Sequence, residues 1–416
     1  MKRSHPPSPL QQWRGGLQLA GDGFDQVTSR IHEFHRAISD IPFTALTPVP
    51  AISAATAPTR LLHDGITDSV YSTVRLFGKV LFGAADTVFK LGERALPPQP
   101  AATPNRIQDD LVSAASGLVG DHMASRRNPL TPRLGFRQNG RLLALTPEAL
   151  AASHPEASPR IAVFVHGLCC NENSWQLYRR PDDPQTLPYG DRLAADFDIT
   201  PLYLRYNTGQ HISQNGRALA RQLVKLVAAW PVPVEELILV GHSMGGLVIR
   251  AAAATGLEHD QAWIRHVSHV ICVGSPHRGA PLEKLVHAGV PMLDQLPLTR
   301  PLARILDARS VGIRDLRHGA VHADDWRSLD EPGAEQPRTI RRLPGAGYHF
   351  IGSSIGAAAG DPVDSVLGDG LVRLPSALAT ELADADSACL FRLHHMHLLN
   401  HPRVYAEIRR FLQASA

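Results

Sequence analysis

The sequence has few cysteines, almost no excess of charge of one sign and no long hydrophobic run. Four cysteines in 416 residues are too few for a disulfide scaffold, and the neighbours Cys169 and Cys170 do not suit a bridge with each other. We therefore expect reduced thiols, as in cytoplasmic proteins. Lys and Arg number 42 against 39 Asp and Glu, and no basic block indicates a nucleic-acid partner.

The lack of a long hydrophobic run argues against a membrane-spanning protein. No window approaches the ~20 apolar residues that a membrane span needs. Met1 to Pro7 carry the positive charge of a signal peptide, but no apolar stretch follows, and we expect a cytoplasmic location. Hydrophobic residues make up 44% of the chain, which fits one large α/β domain with an additional module.

Helical periodicity dominates residues 1–130, which we predict to be an N-terminal helical extension. Apolar residues recur at helical spacing up to Pro42 and resume after a predicted linker at Pro48–Pro58. A third helix is predicted from about Ile107 to Met123. We expect the stripe of the second helix to pack on the catalytic domain or on a second subunit. This stripe includes Ile66, Val70, Val74, Phe77 and Leu81. In the alternative, Ser72–Arg94 lies on a membrane surface as an amphipathic helix.

The pattern changes at about residue 131, where we predict the start of a catalytic domain that covers 131–416. A hairpin is predicted to turn at Asn139-Gly140, and strands then alternate with helices. This order indicates a doubly wound, mainly parallel sheet. The predicted strands are Ile161–Val165, Ile199–Tyr206, Leu237–Val240, Val267–Val273, Tyr348–Ile351 and Leu390–Leu393. Between about 281 and 345 the strand signal disappears, and an apolar segment predicts a helical lid insertion.

The most informative motif joins a strand to a helix. The apolar run Leu237–Val240 leads into Gly241-His242-Ser243-Met244-Gly245, and a helical segment follows. This order is typical of the nucleophile elbow of serine hydrolases, in which a strained turn lifts the serine hydroxyl clear of the sheet. We predict Ser243 as the nucleophile and expect a Cβ at Gly241 or Gly245 to collide with a neighbouring element. An ordinary glycine-rich turn is the alternative.

A serine nucleophile needs a general base. In elbow enzymes the base follows the serine in the chain, and His395 comes just after the last predicted strand. His394 and His397 are rivals that spacing alone does not exclude. Surface histidines or a metal cluster are the alternatives, but no Cys or carboxylate lies at ligand spacing, so we expect no metal and no cofactor.

The base in turn needs an acid that orients it. Asp369 lies between two glycines, ahead of the apolar pair Leu371-Val372, and is the best candidate. Asp361 and Asp364 are alternatives. All three aspartates could instead line a calcium site or a solvated loop.

The oxyanion that forms in the reaction needs two backbone N–H donors. One is predicted at Met244, the residue after the nucleophile. The other is predicted at Leu168, because His166-Gly167 ends an early strand and leaves the next amide near the elbow. His166 itself is interpreted as a structural histidine that supports this loop.

Taken in order, these motifs resemble those of a bacterial esterase/lipase of the α/β-hydrolase superfamily, in the branch related to GPI-inositol deacylases and triacylglycerol lipases. The resemblance covers about Arg133 to the C-terminus. Its segments are His166-Gly167, Gly241–Gly246, Gly274–Gly279, Gly368–Val372, and His395 with Leu398-Leu399. The Leu-Leu pair three residues after His395 favours that histidine over its neighbours.

The resemblance implies an α/β-hydrolase fold and a carboxylic ester hydrolase that works through an acyl-enzyme. With a lid over an acyl pocket, we expect a lipid-like or hydrophobic ester as substrate. One alternative is an acyltransferase that uses the same acyl-enzyme. The other is a membrane-surface or interaction protein on a decayed hydrolase core.

Overall fold

The computed structural model describes residues 7–46, 50–95, 105–279, 310–322, 342–359, 368–379 and 385–414. These residues form two units. The smaller contains two long helices and residues 123–130, and the larger contains the remaining described residues. Most of the predicted lid at 281–345 lies outside the described residues, and the domain boundary predicted near residue 130 stays a prediction.

The larger unit is built around an eight-stranded sheet. Its strands are β1 (Gly135–Gln138), β2 (Arg141–Leu142), β3 (Arg160–Val165), β4 (Thr200–Arg205), β5 (Glu236–His242), β6 (Val267–Val273), β7 (Gly347–Ser354) and β8 (Asp386–Phe391). The order across the sheet is β2-β1-β4-β3-β5-β6-β7-β8. Strands β3 to β8 are mutually parallel, whereas β1 runs antiparallel to both β2 and β4.

Helices connect and cover these strands. They are α1 (Pro9–Leu46), α2 (Pro50–Ala95), α3 (Arg106–Ser125), α4 (Pro147–Ser153), α5 (Tyr189–Phe197), α6 (Ile212–Ala229), α7 (Met244–Glu258), α8 (Val311–His318), α9 (Leu374–Ala377) and α10 (Pro402–Ala414). Short 3₁₀ turns lie at Glu172–Gln176, Pro184–Thr186, Ala262–His266 and His395–Leu399.

The predicted α/β-hydrolase fold class is confirmed by this mainly parallel sheet with helices on both faces. The hairpin turn is also confirmed, since Gln138 pairs with Arg141 across Asn139-Gly140. The last strand was predicted too late in the chain, at Leu390–Leu393. It begins at Asp386, because the polar residues at its start pair with β7 despite their weak strand pattern.

Alternating side chains in the central strand produce two cores, one on each face of the sheet. In β5, Leu237 and Leu239 belong to the cluster that also contains α6 and α7, whereas Ile238 and Val240 belong to the cluster that contains α5 and α10. The chain moves from β3 outward to β4 and then returns across β3 to β5. The carboxyl ends of β3 and β5 therefore form a topological switch point, where ligands bind in open α/β sheets.

The smaller unit is a hairpin of α1 and α2, and it corrects two predictions. Residues 50–58, predicted to be part of a linker, are helical, and Pro58 lies inside α2. Pro50 is the first residue of that helix, where a missing backbone N–H costs no hydrogen bond within the helix. The helix continues on both sides of Pro58. The first helix also extends past Pro42 to Leu46.

The apolar stripe of α2 is largely exposed within the smaller unit, and its packing on the catalytic domain or on a second subunit stays a prediction. The seam between α1 and α2 contains a polar cluster, a close glycine contact and the aromatic pair Phe24 and Phe82. Arg14 and Gln18 both donate to Asp86 at 2.8 Å, and a Cβ on Gly21 would lie 2.9 Å from Phe82. The exposed side chains, between 39% and 67% exposed, are Val70, Val74, Leu76, Phe77, Val80, Leu81, Val88 and Leu91. Among the helices that the structure describes, none is long and apolar enough to cross a membrane.

The contact between α6 and α7 leads to a stability prediction. A Cβ on Gly216 would lie 2.4 Å from the Cβ of Ala251 and 2.8 Å from backbone atoms of α7. Because neither helix backbone can give way easily, Gly216→Ala should destabilise the larger unit by ~1–3 kcal/mol. Denaturant unfolding followed by tryptophan fluorescence measures the effect. Val224→Ala, on the exposed side of the same helix, should change stability by less than ~0.5 kcal/mol. Equal stability of the two variants would contradict the close packing.

Candidate active site

Ser243 lies at the sharp turn between β5 and α7. Its backbone has φ 53° and ψ −124°, a combination that residues other than glycine rarely adopt. Its amide donates to the carbonyl oxygen of Val273 on the neighbouring strand at 2.9 Å. The turn therefore has the strained backbone that the sequence predicted for a nucleophile elbow.

The two glycines of the elbow are required by close backbone packing, as predicted. A Cβ on Gly241 would lie 2.5 Å from the amide nitrogen of Gly246. A Cβ on Gly245 would lie 2.1 Å from the carbonyl oxygen of Val165 at the end of β3. Both contacts are with backbone atoms, which cannot move aside as a flexible side chain can.

The loop after β3 lies directly against Ser243. A Cβ on Gly167 would approach the Cβ of Ser243 to 2.9 Å, and Leu168 follows in a half-buried position. Met244, on the other side of the serine, is the first residue of α7 and is buried. Amides in the first turn of a helix have no partner within the helix and attract negative charge.

His395 and Asp369 form a buried pair at the same end of the sheet. The two atoms His395 Nδ1 and Asp369 Oδ2 are 2.7 Å apart, and both residues are at most 5% exposed. The other carboxylate oxygen accepts hydrogen bonds from the amides of Leu371 and Val372 at 3.0 and 2.8 Å. The His395 amide also donates to the Asp369 carbonyl oxygen at 3.0 Å, so backbone and side chain hold the pair together.

The rival histidines have different surroundings. His394 is exposed, and its ring stacks on that of His397 with centroids 3.5 Å apart. Tyr178 contacts both rings. The alternative acids Asp361 and Asp364 lie outside the described residues.

A second histidine, His242, connects the elbow to the His395 loop. Burial lowers the pKa of His242 well below its usual value, so the ring is neutral. Its Nε2 lies 3.2 Å from the His395 carbonyl oxygen, to which a neutral ring protonated on that nitrogen donates. The two rings are 4.7 Å apart. This contact was not predicted from the sequence, because it joins residues 153 positions apart.

His166, at the end of β3, is also buried and neutral. Burial lowers its pKa to about 3. Its ring stacks on Tyr206 with centroids 4.5 Å apart, and the Tyr206 hydroxyl donates to the His166 carbonyl oxygen at 2.7 Å. These contacts agree with the predicted role of His166 as a support for the loop that contains Leu168.

Part of the chain is similar to known proteins. Residues 157–339 match the model of a family described as the PGAP1-like alpha/beta domain, a segment that includes the elbow and the loop after β3. The rice (Oryza sativa subsp. japonica) protein Esterase PIR7B is 27% identical over 170 residues, which cover 40% of this chain and 55% of the relative. The chain thus matches about half the length of that curated relative.

Two solved structures are also similar. The Bacillus licheniformis lipase BlEst2 in its mature form has a TM-score of 0.40 at 19% identity, covering 63% of this chain and 93% of the lipase. A lipase-esterase related protein from Clostridium acetobutylicum has a TM-score of 0.37 at 14% identity, covering 61% of this chain and 95% of that chain. Because both scores are low, the fold assignment depends on the strand order and the family match.

The chain has an α/β-hydrolase fold, and less than half of it, residues 157–339, is similar to the PGAP1-like alpha/beta domain. The resemblance predicted from the sequence is therefore confirmed. Among the side chains described in this α/β-hydrolase, no group of three or more His, Cys, Asp or Glu residues is arranged to hold a metal ion. None of the four cysteines, all of which the structure describes, forms a disulfide, and burial raises the pKa of the Cys169 thiol to about 11.

A buried ion cluster beside the loop after β3 was not predicted from the sequence. The Arg205 guanidinium at the end of β4 binds both carboxylate oxygens of Glu172 and lies 2.8 Å from Asp109 of α3. These partners raise the pKa of Arg205 despite its burial. The sequence contained one signal for this cluster, an arginine at the end of an apolar strand, because a buried arginine needs a buried counter-charge.

Proposed function

We propose that this α/β-hydrolase cleaves carboxylic esters through a Ser243-His395-Asp369 triad and an acyl-enzyme. The observation that carries the proposal is the buried hydrogen bond between His395 and Asp369, at the end of the sheet where the strained Ser243 lies. The naming of the rice relative as an esterase supports the same reaction class.

In the first step, Ser243 attacks the ester carbonyl carbon. The Asp369 carboxylate binds Nδ1–H of His395, which leaves Nε2 unprotonated and able to accept the serine proton. The carbonyl electron pair moves to oxygen, and the amides of Leu168 and Met244 stabilise the resulting oxyanion. The imidazolium then protonates the departing alcohol, and an ester bond to Ser243 remains.

In the second step, water replaces the alcohol. His395 accepts a proton from the water as it attacks the acyl-enzyme, and returns that proton to the Ser243 oxygen as the acid leaves. An acceptor alcohol in place of water would give the acyltransferase reaction. Adding alcohol to the assay distinguishes the two, because capture of the acyl group yields a new ester.

The substrate class that we propose is a hydrophobic or lipid-like ester. The support comes from the sequence, in which leucine, valine and isoleucine recur between 285 and 306, after the Gly274–Gly279 segment beside the site. An apolar insertion at this place suits a lid over an acyl group. p-Nitrophenyl esters of graded chain length measure the preference, which we expect to favour medium or long acyl chains over acetate.

Replacement of the nucleophile tests the proposal most simply. Ser243→Ala should abolish covalent labelling by a fluorophosphonate probe and lower kcat by ~10⁴ or more, because no other group can form the acyl-enzyme. Ser213→Ala, a buried serine of α6, is the matched control and should label like the parent. Labelling that persists in Ser243→Ala and maps to another serine would reject the assignment.

The His395 and Asp369 variants test the rest of the triad. His395→Ala should lose as much activity as Ser243→Ala, whereas Asp369→Asn should lose ~10³–10⁴ in kcat because orienting the imidazole matters less than the nucleophile. His394→Ala and His397→Ala should keep measurable turnover in steady-state assays. If His397→Ala is the inactive variant instead, the base has been misassigned.

The helical hairpin favours a second role, contact with a membrane surface. In α2 the apolar side chains that are exposed between Val70 and Leu91 occupy one side of the helix at 100° per residue, while Arg75, Lys79 and Asp86 fall on the opposite side. In α1, Arg14 and Gln18 face α2 and Trp13 is exposed. The apolar side of α2 is thus exposed, as expected for an amphipathic helix that lies on a lipid surface.

Vesicle sedimentation tests this contact. Because α1 and α2 together carry eight basic and eight acidic residues, binding should occur on phosphatidylcholine vesicles and should not require anionic lipid. The double variant Phe77→Gln with Leu81→Gln should reduce binding at least ~10-fold, since about two large apolar contacts are lost. Leu111→Gln, equally exposed but on α3, is the control. Full-length protein that stays in the supernatant, or that forms dimers through this face, would contradict membrane contact.

A further inference from the structure

The backbone of α3 at Gly117 lies so close to the loop after β3 that a side chain at this position would not fit. A Cβ on Gly117 would lie 2.2 Å from Sγ of Cys169 and 3.0 Å from its amide nitrogen. Cys169 directly follows Leu168 and has a positive φ of 60°. The backbone of α3 is therefore in contact with the residue next to the amide that we assign to the oxyanion hole.

Polar contacts hold α3 and this loop together on the next turn of the helix. The side-chain amide of Asn171 donates to Asp110 at 2.8 Å and to the Ser113 hydroxyl at 3.2 Å. The Asn171 side-chain oxygen accepts from the Asn173 amide at 2.8 Å and so caps the 3₁₀ turn at Glu172–Gln176. A single buried asparagine thus links α3 to the backbone of the loop.

The same helix also binds the start of α8. The Ser310 hydroxyl donates to the Gly117 carbonyl oxygen at 2.6 Å, and the Val311 amide donates to Asp121 at 3.0 Å. Further along, the Asn207 side chain donates to the Gly120 carbonyl oxygen at 2.8 Å. With contacts on several sides, α3 is held at a fixed distance from the loop that follows β3.

We propose that α3 is a positioning element for the oxyanion hole, and that Gly117 and Asp110 set the place of the Leu168 amide. This inference rests on the proposed ester hydrolysis. It extends the functional part of the chain beyond the segment that matches the family model, which begins at residue 157. The physical reason is that an oxyanion donor acts only if it points at the developing charge, and a small displacement removes most of its effect.

Gly117→Ala tests the proposal by pushing the loop away from the helix. We expect kcat to fall by ~10–100-fold while KM changes by less than ~3-fold, because the donor acts in the transition state and not on the bound substrate. The concentration of active sites is measured as the amount of Ser243 that fluorophosphonate labels when the reaction is complete. Dividing the rate by this concentration corrects for any loss of folded protein. Gly256→Ala is the matched control, because its new Cβ would lie 2.7 Å from the Trp263 ring near the C-terminal end of α7. It should lower the melting temperature and leave kcat per site unchanged.

The Asp110 variants provide a second test that does not depend on the fold tolerating a new side chain. Asp110→Ala should lower kcat per site by ~3-fold or more, since Asn171 loses its nearer acceptor. Asp110→Asn should restore it, because its amide oxygen still accepts. Unchanged kcat per site in both Gly117→Ala and Asp110→Ala, with a parent that is labelled and active, would reject the role of α3 alone. A parent that is not labelled at Ser243 would reject the proposed hydrolase itself.

Discussion

The close contact between the start of α7 and the end of β3 determines the geometry of this site. At Gly245 the helix backbone meets the Val165 carbonyl oxygen so closely that a Cβ would lie 2.1 Å away. The chain can make this contact only by turning sharply at Ser243, where the positive φ costs ~1–3 kcal/mol. Burial of β3 and β5 between two apolar clusters offsets that cost.

The same contact brings together groups from distant parts of the chain. Since β3 and β5 are neighbours in the sheet, the loop that contains Gly167 lies against the serine at the end of β5. His242, one residue before the serine, contacts the loop that carries His395. The position of Ser243 therefore depends on the sheet, and the position of the His395 loop depends on its contact with His242.

Among the described residues near the elbow, two histidines are neutral and one carboxylate is paired. Burial lowers the pKa of both His166 and His242. The Asp369 carboxylate has an imidazole and two backbone amides as partners. Such an arrangement holds its dipoles in place before substrate arrives, which is the condition for electrostatic stabilisation of a transition state.

How much of this could be predicted from the sequence depends on the range of the interactions. The elbow and the Asn139-Gly140 turn were predictable, because backbone constraints over a few residues select their glycines. Asp369 and His395 were predictable as candidates from their order after Ser243 in the chain, and their role stays a prediction. By contrast, the contact between Arg205 and Asp109 joins residues 96 positions apart, and the arginine at the end of its strand does not by itself identify this partner.

The helical hairpin was predicted less well for a related reason. Helical spacing identifies an apolar face, but it does not tell what that face contacts. We expect the stripe with Phe77 and Leu81 to be covered, because apolar side chains in water are unfavourable. Within the smaller unit the stripe is exposed, and the ion pair between Arg14 and Asp86 lies in a seam that also contains Phe24 and Phe82.

The most direct test of the account is detection of the acyl-enzyme itself. Rapid mixing of the full-length chain with a p-nitrophenyl ester should release a burst of p-nitrophenol close to one equivalent per active site. Acid quenching followed by peptide mass spectrometry should find the acyl group on the peptide that contains Ser243. Turnover without a burst or adduct, or an adduct on another residue, would contradict an acyl-enzyme at the elbow.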